Sequence, residues 1–445
     1  MLYCVSAVSC VCTKKSLNRK EDLTMDVSAH RAWSLLKDLA YVRVSGSAEE
    51  RRAAERLLAE AQSTGAEAHI EDFTVKNGRV HHAKLVVTAP YTKEYEVTGY
   101  ERSLSTPEGG LNGEFYYVEN LEAVHLDNCK GKIVLINGGL RMKHYEKLQK
   151  AGVAAILTFS GTTMDRKSES DCDIRKLREM LTERHGDCVA LNMRAADALE
   201  IVRRGAKQMH IEVESENYEA TSCNVCATIE GTEKPEEIIS FGAHFDSVNF
   251  STGVYDNMSG SVIIMELLRY FAKHRPARTM KFNWYGSEEQ GLLGSKAWVA
   301  AHEDELDKHV LMINIDVAAP ILGFNAAPVL ATERAVGYVD SVMREAGIAC
   351  DTKLDIYSSD CIPFADKGVP AVNFCRFAPD GAGYIHDRRD NLKNGFLDEK
   401  ALDITLQQAL IFTKRVANAK TFPIERKIAE EITKKVDEYL FKPGR

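Results

Sequence analysis

The chain has 445 residues, more than one hydrophobic core organises, and so predicts two or three domains. Its 57 Lys and Arg against 65 Asp and Glu give a net charge of −8, which argues against nucleic acid because no net positive field gathers phosphates. Hydrophobic residues at 44% and charged residues at 27% are globular proportions, and no window holds the roughly 18 uninterrupted apolar residues a spanning helix needs, so no membrane partner is expected. Eleven cysteines, an odd number without the density of a disulfide scaffold, read as mostly reduced thiols of a cytoplasmic protein. Nothing in the sequence specifies an oligomeric state.

Residues 2–12 (LYCVSAVSCVC) are mildly apolar, but no basic segment precedes them and Lys14 and Lys15 follow where a cleavage site would stand. Residues 1–24 therefore read as an extension; secretion, or lipid on Cys10 or Cys12, is the alternative if they are a genuine signal. From Ser47 to Ala66, Ala53, Leu57, Leu58 and Ala61 recur at helical spacing, Gly65 signals a stop, and AHIEDFTV reads as a strand. Residues 85–135 are rich in β-formers and turns, and 141–157 reads as helix then strand. A charged stretch, Asp165–Arg184, reads as exposed, and short strands resume in MHIEVES and CNVCATIEG. The lone CNVC allows a zinc site or redox pair, but without a second pair buried thiols at Cys223 and Cys226 are the plainer reading.

The second half alternates strand and helix: IISFGAHFD, the helical SGSVIIMELLRYFAKH, TMKFNWYGSEE, a further helix, and HVLMINID. That alternation predicts an α/β fold, a mixed and mostly parallel sheet flanked by helices, with ligands beyond the carboxyl ends of the strands. Residues 424–439 (from Ile424 to Tyr439) read as a closing amphipathic helix. The predicted division is 25–90 and 216–445 for the main unit, with a β-rich insert at 91–215.

Five metal-ligand types fall at or just after strand ends: His244, Asp256, Glu289, Asp316 and His386. Each alone is commonly a cap or surface group; their joint placement carries the argument. His244 and Asp246 lie two apart on an extended strand and project to one side, so the carboxylate can orient the ring. Glu288 and Glu289 are adjacent carboxylates between apolar, glycine-rich flanks, costly to hold together without a cation or a proton. Two divalent cations would be balanced by Asp256, Glu289 and Asp316 with one hydroxide, leaving Glu288 free as a base.

The succession HFD, YDNMSG, SEEQGLLGS, NID and IHDRRDN resembles metallopeptidase family 28, the co-catalytic dizinc aminopeptidases and their relatives, and NCKGKIVLINGG with KLQKAGVAAILTFSG resembles a protease-associated domain. The resemblance implies two zinc ions per chain: Asp256 bridging, His244 and Asp316 on one, Glu289 and His386 on the other. It implies Glu288 as general base, with Asp246 assisting, a metal-bridging hydroxide as nucleophile, and a cis peptide after Asp256. Asp390 matches an acidic position common after the last ligand, while Asp387 stands where the family often has Thr. Peptides are then the expected substrates, and an aminopeptidase the expected activity. Tyr384 is a candidate oxyanion donor. Arg376, Arg388 and Arg389 could hold a substrate carboxylate, which keeps a carboxypeptidase or dipeptidase as the alternative. A non-catalytic binding scaffold is the lesser alternative, disfavoured because every ligand position stands.

Overall fold

The computed structural model describes residues 26–166 and 172–442; the extension read at 1–24, with Cys10 and Cys12, lies outside the described residues. Two helices open the chain, Ala29–Asp38 and Ala48–Gln62, each started by a serine whose side-chain oxygen accepts an amide of the first turn: Ser28 from Arg31 and Ser47 from Glu50. Gly65, at φ +83°, ends the second, as the sequence reading places it.

The next element departs from that reading. Strand β1 (Glu67–Ala89) runs without a break through what the sequence divides in two, and β9 (Gln208–Ile229) does the same on the return. The pair is antiparallel from Glu67 opposite Thr228 to Ala89 opposite Gln208, with irregularities only between Val80 and His82 and between Val87 and Ala89. Glycine does not break the ribbon because Gly78 serves a close approach: a Cβ there would sit 2.4 Å from the Arg102 amide nitrogen. Between the long strands lie β2 (Lys93–Tyr95), β3 (Val97–Glu101), β4 (Leu111–Val118), β5 (Ile133–Ile136), β6 (Ala155–Ser160), β7 (Arg175–Lys176) and β8 (Ala190–Arg194). This inserted unit has its own two cores, one around Leu135, Leu157 and Leu191, the other around Val134, Ile156 and Tyr145.

The main unit adds β10 (Lys234–His244), β11 (Arg278–Tyr285), β12 (His309–Ile315), β13 (Phe324–Leu330), β14 (Asp351–Leu354) and β15 (Ala371–Phe377). Their order is β14-β13-β15-β12-β10-β11-β9; the β13–β15 and β11–β9 contacts are antiparallel and the rest parallel. It is the mixed, mostly parallel α/β sheet expected. One face is covered by the Ser259–Lys273 and Glu399–Ala417 helices with the two N-terminal ones, the other by Leu293–Ala301, Cys361–Asp366 and Glu430–Tyr439. The Ser259–Lys273 helix lies close beneath the sheet, since a Cβ on Gly260 would stand 2.2 Å from the Ile315 carbonyl oxygen.

Two sequence readings need correction. The closing helix begins at Glu430, not Ile424: Ile424 enters the main core, and the Arg426 guanidinium donates to the carbonyls of Leu306 and His309, which fixes this stretch in an irregular path. The segment 165–184 is not simply an exposed run, because Leu177 and Leu181 are buried in the inserted unit and hold the charged residues between them against the main unit. No helix among the described residues is long and apolar enough to cross a membrane.

Arg43, wholly buried, joins the N-terminal segment to the loop after β10. Its guanidinium donates to the carbonyls of Leu39, Tyr41, Phe245, Thr252 and Gly253 at 2.5–3.1 Å. Burial lowers its pKa only to about 10, so it stays charged at neutral pH. Arg43→Met would leave those carbonyls without donors, and we expect a loss of about 3–5 kcal/mol in urea unfolding, with Arg43→Lys recovering only part of it.

Candidate metal centre

The carboxyl ends of β10, β11 and β12 and the loop after β15 converge on one point, bringing together all five sequence-predicted ligands and Glu288. Asp256 stands at the centre. Its Oδ1 lies 3.0 Å from His244 Nε2 and its Oδ2 lies 3.0 Å from His386 Nε2. His244, Asp256 and Asp316 form one triad, and Asp256, Glu289 and His386 a second; within each triad the donor atoms lie within 4.8 Å of one another. His386 Nε2 is 2.9 Å from Glu289 Oε2, and His244 Nε2 is 3.9 Å from both Asp316 Oδ1 and Glu288 Oε2.

The backbone presents these groups under constraint. The Asp256–Asn257 peptide is cis, as the sequence resemblance implies, and the Asn257 side chain donates to the Ile315 carbonyl while accepting from the Gly260 and Val317 amides. Ser287, Val317 and His386 adopt φ of +56°, +64° and +51°, next to or at Glu288, Asp316 and the last histidine. For Val317, β-branched, that region costs on the order of 1–3 kcal/mol, a strain that surrounding contacts must hold. Asp390 is one such contact: its two oxygens accept the amides of Tyr255 and Asp256 at 2.8 and 3.1 Å. Asp387 caps the same turn, pairing with Arg389 through both oxygens at 2.7–2.9 Å.

Asp246 has a wider role than the sequence suggests. Beside its 3.3 Å approach to His244 Nδ1, it accepts the backbone amides of Glu288 and Glu289 at 3.0 and 3.3 Å, and so orients both acids as well as the ring. Behind it runs a chain of hydrogen bonds invisible in the sequence: Glu50 accepts from Ser222 at 2.9 Å, which accepts from Ser287 at 2.7 Å, which contacts Ser45 at 2.5 Å.

Electrostatics follow from burying so many acids. Burial raises Glu288 well above the usual carboxylate range, reinforced by Glu289, Asp360 and Asp316 and opposed by His244. Burial likewise raises Asp316 well above its usual value and lifts Asp360 to about 7. Burial opposes charge on His244, yet Glu288, Asp246 and Asp256 together raise it; His386 is raised chiefly by Glu289. The Oε1 atom of Glu289 is buried with no hydrogen-bond partner. Excess buried carboxylate with an orphaned oxygen is a donor set that divalent cations fit: imidazole nitrogens and carboxylate oxygens in two triads sharing one residue.

The candidate substrate groups fare differently. The Arg376 guanidinium donates to the carbonyls of Pro320 and Ile321 and to Asn325 at 2.9–3.2 Å, so it anchors that loop and is not available for a substrate carboxylate. The Tyr384 ring packs edge-on against Phe396 and under Arg389, and among the described residues no contact links its hydroxyl to the cluster. Sequence reasoning missed Tyr357, half-buried and near enough to Asp316 and Asp256 that their charges add to burial in raising its pKa. It also missed Arg175, Lys176 and Arg178, which line a cavity of about 440 Å³ together with Glu101, Asp246, Glu289 and His386. Only the density of charge in RKLR could have drawn attention to them.

Fold and site thus define an α/β protein with a two-triad centre of histidine and carboxylate at the carboxyl ends of its strands. Residues 224–412 match the model of Peptidase family M28. The chain is similar to mouse carboxypeptidase Q, 25% identical over 298 residues (63% of this chain and 63% of the relative). It is also similar to leucine aminopeptidase 2 of Arthroderma otae, 28% identical over 296 residues (63% and 57%). The match therefore spans less than two thirds of either curated relative's length. Among solved structures, a zinc aminopeptidase from Bacillus subtilis shares the fold with a TM-score of 0.73 at 20% identity, covering 91% of this chain and 99% of that one.

Glu50 supplies a test of the layer behind the centre. Its carboxyl is raised from 4.5 to about 8, chiefly by burial and next by Asp246, so the folded protein holds the proton more tightly than the unfolded chain. Stability from this group is therefore greatest below the unfolded value and declines as pH rises through that window. In metal-free protein, Glu50→Gln should flatten the decline of stability between about pH 5 and pH 8, measured by parallel denaturation series.

Proposed function

We propose that the chain is a zinc-dependent exopeptidase, foremost an aminopeptidase, acting with two zinc ions per chain on peptide substrates. The observation that supports this best is the sharing of Asp256 between two imidazoles, with Glu288 buried beside the pair and belonging to neither triad. His244, Asp256 and Asp316 would hold one ion, and Asp256, Glu289 and His386 the other. When bound, the metals supply Lewis acidity at the scissile carbonyl and acidify the attacking water.

The remaining chemistry belongs to the chain. Glu288 takes the proton of the attacking water and returns it to the leaving amine, and its burial gives it a proton affinity that an exposed carboxylate lacks. Asp246 holds the Glu288 and Glu289 amides, and hence the base, in place. Tyr357 is a better candidate than Tyr384 for donating to the developing oxyanion, since it is near enough to feel the charges of Asp316 and Asp256. The inserted unit is proposed as a protease-associated domain that forms one wall of the substrate cleft through Arg175, Lys176 and Arg178.

A second reading has its own support. Arg175 and Arg178 face the cavity that contains His386, so a carboxylate has guanidinium groups to meet there, which suits a carboxypeptidase or dipeptidase. The test is peptide trimming by zinc-loaded protein, with free and acetylated N-termini and free and amidated C-termini, read by mass spectrometry. Loss of N-terminal residues from free peptides alone, abolished by chelation, is expected. Trimming that ignores acetylation but requires a free C-terminus would establish the second reading, and Arg178→Ala should then raise KM about tenfold or more.

Glu288→Gln should lower kcat by about a thousandfold with metal content, measured by elemental analysis, unchanged. Full activity in that variant would remove Glu288 from the mechanism.

A further inference from the structure

A second cluster of metal-binding side chains lies away from the cleft, where the start of β1 meets the end of β9 and the Leu293–Ala301 helix. His69 and Glu71 are two apart on β1 and so share a face of the sheet. Cys226 is the cross-strand partner of His69 in the β1–β9 register, which puts its sulfur on that same face. The donor atoms of His69, Glu71 and Cys226 lie within 4.8 Å of one another. His302, just past the end of the helix, stands behind the group on Glu71: its Nε2 lies 2.9 and 3.1 Å from the two Glu71 oxygens, and the first of these oxygens also meets His69 Nε2 at 3.0 Å.

We propose that His69, Glu71 and Cys226 form a site for a divalent cation of borderline softness, such as zinc, with His302 orienting Glu71. Each donor type suits such an ion, and three donors from two strands leave the fourth position of a tetrahedral ion to water at the half-exposed His69 side. The charges balance, because one thiolate and one carboxylate with a neutral imidazole neutralise a divalent cation. Binding breaks the S–H bond of Cys226 and releases its proton to solvent, with no change of oxidation state.

The surroundings favour that arrangement. Glu305 approaches His302 Nδ1 to 3.4 Å, and Lys281 holds Glu305 through both oxygens at 2.5 and 2.7 Å. His302 thus bridges two carboxylates, Glu71 through Nε2 and Glu305 through Nδ1, and fixes the orientation of Glu71. Trp298 stacks on the His302 ring at 4.4 Å and limits its rotation. Cys226 itself is buried, and burial together with Glu71 keeps its thiol protonated in the metal-free protein. Cys223, three residues earlier, faces the opposite core, so the CNVC spacing marks neither a redox pair nor a two-sulfur site. A filled site would fasten β1 to β9.

Cobalt distinguishes this site from the centre at Asp256, whose donors are only nitrogen and oxygen. Titrating the reduced full chain with Co²⁺ should give a thiolate-to-cobalt charge-transfer band in the near ultraviolet that saturates by about three equivalents, two of them taken by the centre at Asp256. Cys226→Ser should abolish the band; His69→Ala, at a half-exposed position that folding tolerates, should weaken the affinity behind it by about tenfold or more. No band, a band unchanged in both variants, or a band that develops only with cobalt in large excess would overturn the site.

Discussion

Asp256 is a single buried carboxylate held between two imidazoles, and the organisation of the main unit follows from keeping it there. Its neighbours Asp246, Glu288, Glu289, Asp316 and Asp360 are also withdrawn from water, a concentration of like charge that two histidines do not neutralise. Left alone, such a cluster answers by taking up protons, which is the direction in which Glu288, Asp316 and Asp360 are displaced. Cations resolve the same conflict by opposing the charge directly. The site is thus unstable by design toward its empty state, and the fold around it has to supply rigidity independently of what fills it.

That rigidity comes from hydrogen bonds to backbone. Arg43 gathers five carbonyls on either side of the loop that leads to Asp256, and Asp390 takes the amides of Tyr255 and Asp256 from the opposite direction. Asp246 does the same for Glu288 and Glu289, and Asn257 ties the Asp256 turn to the end of β12. Left-handed backbone at Ser287, Val317 and His386 persists because these contacts leave it no relaxed alternative. Rigid strand ends thereby aim side chains from distant parts of the chain at one small volume, with His386, half-exposed, at its mouth.

The inserted unit completes the cleft without entering the cluster. The β1–β9 ribbon carries it as one continuous sheet with the main unit, so the positions of Arg175, Lys176 and Arg178 are referred to the same framework as His386. Burial lowers the pKa of Lys176, opposed by the charge of Glu101. The inserted unit thus lines the cleft with Arg175, Lys176 and Arg178 beside Glu101 and Asp173, so groups of both signs share a cavity with His386 and Glu289.

The chemistry of the site was legible in the sequence because it rests on short local patterns: ligand types at strand ends, two adjacent acids between apolar flanks, and an alternation of strand and helix that demands a largely parallel sheet. His244, Asp256, Glu289, Asp316 and His386 were found that way, and the structure gathers them. What the sequence could not supply was everything set by register and by distant packing. The long ribbon was divided because each half alternates independently, and only pairing along its whole length makes it one element. Arg376 sits near the last ligand in sequence, yet its guanidinium is held by the carbonyls of Pro320 and Ile321. Tyr357 and the 175–178 segment reach the site only through packing between elements far apart in the chain. Local sequence determined which groups are present, since ligand chemistry and hydrophobic period are local properties; the tertiary structure alone decided which of them meet, because long-range contacts are fixed by the packing of whole elements.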